Sequence, residues 1–593
     1  MSDEHPRPQL TREHWTNLNG LWQFAADEGD IGRREGWHRD PAVFDREILV
    51  PFPPESELSG IVEDGLDVVW YRKAVRLSGS ENSTRFILHF EAVDYSAEVW
   101  VNGQYLGGHE GGQTRFSFDI TDALVDGPEQ IIVLRAHDDH SDLEQPRGKQ
   151  DWMPDPHVIW YRRTTGIWRT VWLEELSERH IASVVWLPMA SPGSVEVEVR
   201  FGGPSGPELE LELSFSADGA ALARSSHSVT AGVLRATVHL EDQRLHAEPE
   251  ELCWSPEHPR LIDVVLRLRS DGDLIDEARS YLGLRTVGAD DRAFLLNGRP
   301  YFLRLVLEQG YWPKTHLASP SEVDLKREVE LIKSLGFNGI RMHQVVADPR
   351  FLYWCDRLGL LVWADAAAGY RFSSVSFART TREWIGIVER DISHPSVVVW
   401  VPFNESWGVP LLETSAQQRS AVMAVHHLIK ALDPTRPVLG NDGWEYVVGD
   451  LLGIHDYSQH PAPLRERYGD DERIVATVLR GRAGGRRVTV GDRLSEGQAS
   501  SVPVVLSEFG GVNLAPTDGT WEGYGSVADT REFLRRLDAL FAEVDERSGL
   551  AGFCYTQLTD TLQERNGLLT EDRHPKAESA AMERIVRGRL NSA

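Results

Sequence analysis

The chain has 593 residues and a formal net charge of −29, with 62 Lys and Arg against 91 Asp and Glu. That length exceeds what one hydrophobic core organises, so roughly three to four domains are expected. The excess of acidic groups argues against nucleic acid as a partner, and no segment approaches the ~20 continuous apolar residues of a membrane span. Apolar residues make up 41% and charged residues 26%, the balance of an ordinary globular protein. Cys253, Cys355 and Cys554 are odd in number and far apart, which suits reduced core residues better than a disulfide framework or a metal site. The opening residues, Met1 to Pro8, lack the apolar stretch of an export signal, so a cytoplasmic location is expected.

From the start to residue 176, short alternating runs are punctuated by turn residues. Residues 85–91, 97–101 and 131–137 are examples, and Asn102-Gly103 after the second is a strong hairpin signal. Period-two patterning with frequent glycine predicts an antiparallel β jelly roll over residues 1–176. A second β-rich unit covers residues 177–286. Its segments 193–200 and 208–214 alternate almost without interruption, with turns expected at 204–207 and 216–219. Several such strands in about 110 residues suit an immunoglobulin-like β-sandwich.

Beyond Gly288 the pattern becomes strand, helix, strand, helix. Strands are predicted at 301–307, 337–343, 360–365, 396–404, 437–442, 451–457, 502–508 and 550–556, with helices at 319–335, 350–358 and 378–392. The first helix opens on Ser319, Pro320, Ser321 and Glu322, residues suited to a cap and first turn, and closes at Gly336. Eight strands alternating with helices over ~300 residues predict a C-terminal (β/α)8 TIM barrel, residues 287–593. On this count Glu405 ends strand four and Glu508 ends strand seven. Catalytic groups of such barrels gather at the carboxyl ends of the strands.

Both glutamates follow short, β-branched apolar runs of the kind buried on both faces of a parallel sheet. Two carboxylates brought to one cavity can flank a glycosidic bond. One must be protonated to serve the leaving oxygen, and the other ionised to attack the anomeric carbon. Glu405 follows Asn404 in a Trp-rich stretch (Trp400, Trp407), and apolar surroundings favour the acid form. Arg341, at the end of strand two, is the candidate cation for an ionised Glu508. Taken singly, either glutamate reads better as a capping or surface carboxylate; their joint placement favours chemistry. His343, Asp365, Asp442, Trp444, His455, Tyr457 and Tyr555 lie on or just after strands and are candidate sugar contacts. The alternative is that the aromatics fill the core and His343 is structural. His455, Asp456 and His460 do not have the spacing of a metal site, so no metal and no cofactor are predicted.

Asn404-Glu405 after strand four and Ser507-Glu508-Phe509-Gly510 at strand seven resemble glycoside hydrolase family 2, which contains β-galactosidases, β-glucuronidases and β-mannosidases. The resemblance extends over nearly the whole chain. Residues 18–24, 99–107 and 165–172 are similar to the family's sugar-binding jelly roll, and Asn297-Gly298 with 335–341 to the start of its barrel. It implies that Glu405 is the acid/base, Glu508 the nucleophile and Asn404 the donor to the sugar 2-hydroxyl.

Three departures bear on the sugar. Family β-glucuronidases carry an Asn-x-Lys motif near the last barrel turn that pairs with the substrate carboxylate. Residues 563–570 hold no such lysine; Arg565 could substitute, but a glucuronide is disfavoured. The large β-galactosidases carry magnesium-binding residues after strand three, where residues 363–372 differ. Both groups place an aspartate six residues before the jelly-roll Gly-Ile, where Trp160 stands here. The expectation is an exo-acting, retaining β-glycosidase acting on a small-molecule or oligosaccharide glycoside, with a β-galactoside as first choice. An arabinopyranoside, galactofuranoside, β-mannoside or β-glucuronide, or a non-catalytic carbohydrate-binding barrel, are the alternatives. Family members often assemble, so a homo-oligomer is compatible with the resemblance.

Overall fold

The structure is a computed structural model describing residues 5–77, 84–188, 193–204, 209–240, 252–490, 501–516, 521 and 523–588. In the first unit, a six-stranded antiparallel sheet packs on a four-stranded one. Trp22, Phe24, Tyr71, Leu88, Val99 and Leu134 fill the space between them. The Asn102-Gly103 pair joins strands Ser96–Val101 and Gln104–Glu110 as a two-residue turn, with φ of 51° and 78°. Positive φ at both central positions matches the right-handed twist of the strands it connects.

The second unit is a sandwich of a three-stranded and a four-stranded antiparallel sheet around Trp186, Val197, Leu211, Phe215 and Leu266. Strand Leu209–Ala217 turns at Asp218-Gly219, the last two residues of the turn expected there. Of the turn expected at 204–207, residues 205–207 lie outside the described residues.

The third unit is the barrel. Seven strands form one parallel sheet: Leu303–Glu308, Gly339–Met342, Leu361–Asp365, Val397–Val401, Leu452–Asp456, Val504–Gly510 and Gly552–Thr556. Every residue of strand Val397–Val401 is buried, as a two-sided parallel strand requires. The predicted fifth strand, 437–442, makes only isolated bridges, parallel at Trp400↔Val438 and Asn404↔Asp442 and antiparallel at Leu439↔Gly449. Pro437 has no N–H to give, and the Gly440 N–H turns away to the Val448 carbonyl at 3.1 Å. These bridges still close the ring at its fourth strand. On the far side Gly453 lets the segment approach, because a Cβ there would overlap the Asp442 carboxylate.

Two helix starts differ from expectation. Helix Glu322–Ser334 is capped by Ser321, whose side chain accepts from the Asp324 N–H, so Ser319 and Pro320 remain outside. Helix Ser374–Asp391 begins four residues earlier than predicted, on a reciprocal Ser373/Ser376 capping box. It abuts the jelly roll. Arg379 bonds Glu110 at 2.8 Å and Asp142 at 2.6 Å, and Gly386 faces Thr114 with no room for a Cβ. Glu383 of the same helix is buried there, and burial, only partly offset by the nearby Gln113 and Gly112 backbone N–H groups, pushes its carboxyl up to about 8 from 4.5.

Between those two values the folded chain keeps a proton that the unfolded chain has released, so stability falls as pH rises from about 5 to 8. Glu383→Gln should therefore flatten the decline of Tm between pH 5 and 9. Equal slopes for variant and wild type, measured by calorimetry, would show that Glu383 does not carry it.

Candidate active site

Arg341 organises the mouth of the barrel. It is the penultimate residue of strand Gly339–Met342 and is wholly buried. Its Nη1 donates to Glu508 Oε1 at 2.7 Å and lies 2.9 Å from Asp442 Oδ2. Its Nη2 donates to Asp365 Oδ2 at 2.9 Å and to Asn404 Oδ1 at 2.7 Å. Burial opposes the charge, but the three carboxylates outweigh it and hold the guanidinium firmly protonated. Arginine can only donate, so the Asn404 oxygen must face it, leaving the Asn404 NH2 for a ligand.

The two glutamates are positioned by irregular backbone. Strand four ends at Val401, and Glu405 lies four residues on, in a tight turn with φ of 50° at Glu405 and 58° at Ser406. The Glu405 N–H donates to the Asp442 carbonyl and the Trp407 N–H to the Asn404 carbonyl, both at 2.9 Å. Glu508 does not follow the end of its strand. It lies inside Val504–Gly510, which carries one extra residue against each neighbouring strand, at Leu506-Ser507 against Leu452–Asp456 and at Ser507-Glu508 against Gly552–Thr556. A bulge of this kind re-aims a side chain that a regular strand would direct elsewhere.

His455 stands between the carboxylates. Its Nδ1 is 2.7 Å from Glu405 Oε1, and its Nε2 is 3.4 Å from Glu508 Oε1. Burial works against its charge, but Glu508, Asp442 and Glu405 raise it to about 10, so it is an imidazolium at neutral pH. Gly443 makes room for the ring, since a Cβ there would strike it. Glu508 also accepts from the Tyr457 hydroxyl, and Tyr457 stacks on Tyr524 with centroids 3.8 Å apart. The outcome for the two acids is opposite. Burial dominates at Glu405 and raises it; at Glu508 burial is overcome by His455 and Arg341, and the carboxyl is lowered. One oxygen of each glutamate and a His455 nitrogen lie within 4.8 Å of one another. That spacing alone would suit a cation, but two fixed positive charges, His455 and Arg341, already occupy the cluster.

The other predicted residues separate into groups. Asp365 and Asp442 are 1% and 0% exposed, and their oxygens are taken by Arg341 and by Ser507 at 2.6 Å. They hold the arginine rather than face a sugar; Asp442 is lowered to about 2 by Arg341 against the effect of burial, and Asp365 is raised by burial to about 6. His343 is buried 3.8 Å from Glu508 Oε1, and burial keeps it neutral. Tyr555 is not a sugar contact: it is fully buried among Phe509 and Phe541, with its hydroxyl under the Val512 N–H. Trp160 and Trp444 belong to a partly exposed aromatic cluster with Trp407.

One buried polar group beside this cavity carries no pattern in the sequence. Lys149, in a jelly-roll loop, donates to Glu564 Oε2 at 2.8 Å, and Gln309 donates to the same oxygen at 3.0 Å. Gln557 bonds both Gln309 and Asn566, leaving Gln309 Oε1 and Asn566 Nδ2 without partners. Arg565, between Glu564 and Asn566, is exposed, so it does not replace the missing lysine of the Asn-x-Lys motif. Lys149 could not be found by periodicity, because its loop has neither strand nor helix spacing.

Three family descriptions match in succession: "Glycosyl hydrolases family 2, sugar binding domain" over residues 15–176, "Glycosyl hydrolases family 2" over 180–285, and "Glycosyl hydrolases family 2, TIM barrel domain" over 287–587. The chain belongs to glycosyl hydrolase family 2. It is similar to a putative β-glucuronidase from Formosa agariphila, with 28% identity over 62% of this chain and 44% of the relative. It is also similar to a β-galactosidase from Thermoanaerobacter pseudethanolicus, with 28% identity over 58% and 46%. The family 2 chain thus spans under half of each of these two relatives. A solved β-galacturonidase from Eisenbergiella tayi shares the fold, with a TM-score of 0.74 at 19% identity over 98% of this chain and 97% of that one.

Because the imidazolium lowers both glutamates, His455→Asn should move both limbs of the pH profile of kcat/KM to higher pH. Arg341→Met should cost about 3–5 kcal/mol in chemical denaturation, since it strands buried carboxylates. An unshifted profile, or full stability, would contradict the assigned electrostatics.

Proposed function

We propose that the protein is an exo-acting, retaining β-glycosidase of a neutral sugar, with a β-galactoside as the first candidate. The observation that carries the reading is the pair Glu405 and Glu508, held close together, with burial raising the first carboxyl and His455 and Arg341 lowering the second. Retaining enzymes separate their carboxyl groups by about 5–5.5 Å and inverting ones by about 6.5–9.5 Å. An approach within 4.8 Å between oxygens supports the former.

The chemistry follows from the bonds described. His455 Nδ1–H occupies Glu405 Oε1, so the proton of the neutral acid resides on Oε2. That proton passes to the glycosidic oxygen as the C1–O bond breaks, and a Glu508 oxygen forms the ester to C1. Arg341 keeps Glu508 ionised until then. Water next attacks C1, gives its proton to Glu405, and releases Glu508 as carboxylate. His455 stabilises the Glu405 carboxylate between the two steps.

A neutral sugar is favoured by charge. Where a uronate carboxylate would need a free cation, Glu564 stands as a buried anion already paired with Lys149, and Arg565 points to solvent. The relatives named for uronides favour the second reading, a β-glucuronidase or β-galacturonidase. A panel of aryl β-galactoside, β-glucuronide, β-galacturonide, β-mannoside, arabinopyranoside and galactofuranoside separates the two; fastest turnover of a uronide would refute the neutral-sugar assignment.

Glu508→Gln should abolish turnover of the best aryl glycoside with the fold retained. Glu405→Gln should cost about 10²–10⁴-fold on an unactivated leaving group and far less on a nitrophenolate, which needs little protonation. Proton NMR of the first-formed sugar should show the β anomer; an α anomer would rule out double displacement.

A further inference from the structure

Beside Glu405 a run of aromatic rings lines one side of the site. Trp152 of the jelly-roll loop meets Trp160 at 4.9 Å and Tyr370 at 4.8 Å between centroids. Trp160 and Tyr370 meet Trp407 at 5.9 and 5.2 Å, and Trp407 meets Trp444 at 6.1 Å. Arg486 lies over Trp444 at 4.7 Å and closes the run. All five rings keep part of their surface open. The wall is next to the acid: Trp407 is two residues beyond Glu405 in the same turn, and the Glu405 charge is felt at Tyr370. The Glu405 side chain is also the more open of the two glutamates, at 13% against 6%.

A proton donor stands on the leaving-group side of the bond it helps to break, so this wall borders the aglycone rather than the sugar ring held by Asn404 and Glu508. The polar atoms of Trp160 and Tyr370 are spent internally. The Trp160 indole N–H donates to the Tyr370 hydroxyl, which donates to the Gly148 carbonyl, both at 2.6 Å. A polyhydroxylated second sugar needs acceptors as well as donors, and the other three rings offer only indole N–H donors, whereas a flat apolar group could stack on all of them. We propose that the wall from Trp152 to Trp444 is an aglycone subsite that selects glycosides of aromatic alcohols. The inference rests on the glycosidase reading and extends it to the second half of the substrate.

The test compares wild type, Trp160→Leu, Trp444→Ala and the conservative Trp444→Phe on three β-glycosides of the sugar the enzyme turns over: aryl, methyl and a disaccharide. Each lost indole should lower kcat/KM for the aryl glycoside roughly tenfold, with under about threefold change for the methyl glycoside, and Trp444→Phe should recover most of the loss. Equal losses on aryl and methyl glycosides would overturn the subsite while leaving the glycosidase reading intact. A loss confined to the disaccharide would assign the wall to a sugar and overturn the aromatic preference. Free 4-nitrophenol supplies a readout independent of turnover: it should quench tryptophan fluorescence saturably in wild type and less in Trp444→Ala. Saturable quenching with no glycoside hydrolysed would overturn the glycosidase reading alone; no quenching at all would overturn the subsite.

Discussion

The site depends on a guanidinium placed where water cannot reach it. A buried charge of this kind is costly unless its neighbours repay the lost hydration through short, well-directed bonds. Arg341 is repaid from four segments at once: Asp365 on strand three, Asn404 after strand four, Asp442 at the fifth position and Glu508 on strand seven. The arginine therefore does two jobs with one set of contacts. It draws the carboxyl ends of the barrel strands to a common centre, and with His455 it lowers the Glu508 carboxyl against the effect of burial. Asp365 and Asp442 balance the charge from positions that are 1% and 0% exposed.

His455 creates the asymmetry between the two glutamates. Glu508 is buried and Glu405 largely so, and both lie against the imidazolium, yet only Glu508 also touches Arg341. One cation is insufficient to offset burial at Glu405, and two are more than sufficient at Glu508. The backbone cooperates with this division. A left-handed turn presents Glu405 toward the mouth, a bulge re-aims Glu508 within its strand, and glycines 443 and 453 vacate the space that His455 and Asp442 need.

The jelly roll completes the cavity from outside the barrel. Its loop carries Lys149 into the polar group around Glu564 and Trp152 and Trp160 into the aromatic wall. The Glu405–Glu508 pair is thus a property of the barrel, while the polar group and the aromatic wall beside it span two units. This is consistent with a family in which the same reaction serves relatives named for different sugars.

Alternating residues, Asn-Gly turns and buried β-branched runs were enough to read the three architectures, because burial on one face or two leaves a direct imprint on spacing. The same runs located Glu405 and Glu508 near strand ends, and the family motifs around them carried the acid and nucleophile assignment. Pro437 and Gly440 were visible too, but their effect on the fifth strand depends on where the partner groups of that strand lie. Tyr555 shows the converse: a strand aromatic reads the same whether it faces a ligand or Phe541. Lys149 with Glu564, Arg341 with four partners, and Trp160 with Trp407 join residues far apart in the chain. Their charge states and packing arise from distances of a few ångströms, which only the folded chain sets. Local periodicity therefore determined the scaffold and the candidate acids, whereas tertiary structure decided which carboxyl is raised, which is lowered and what surrounds the pair.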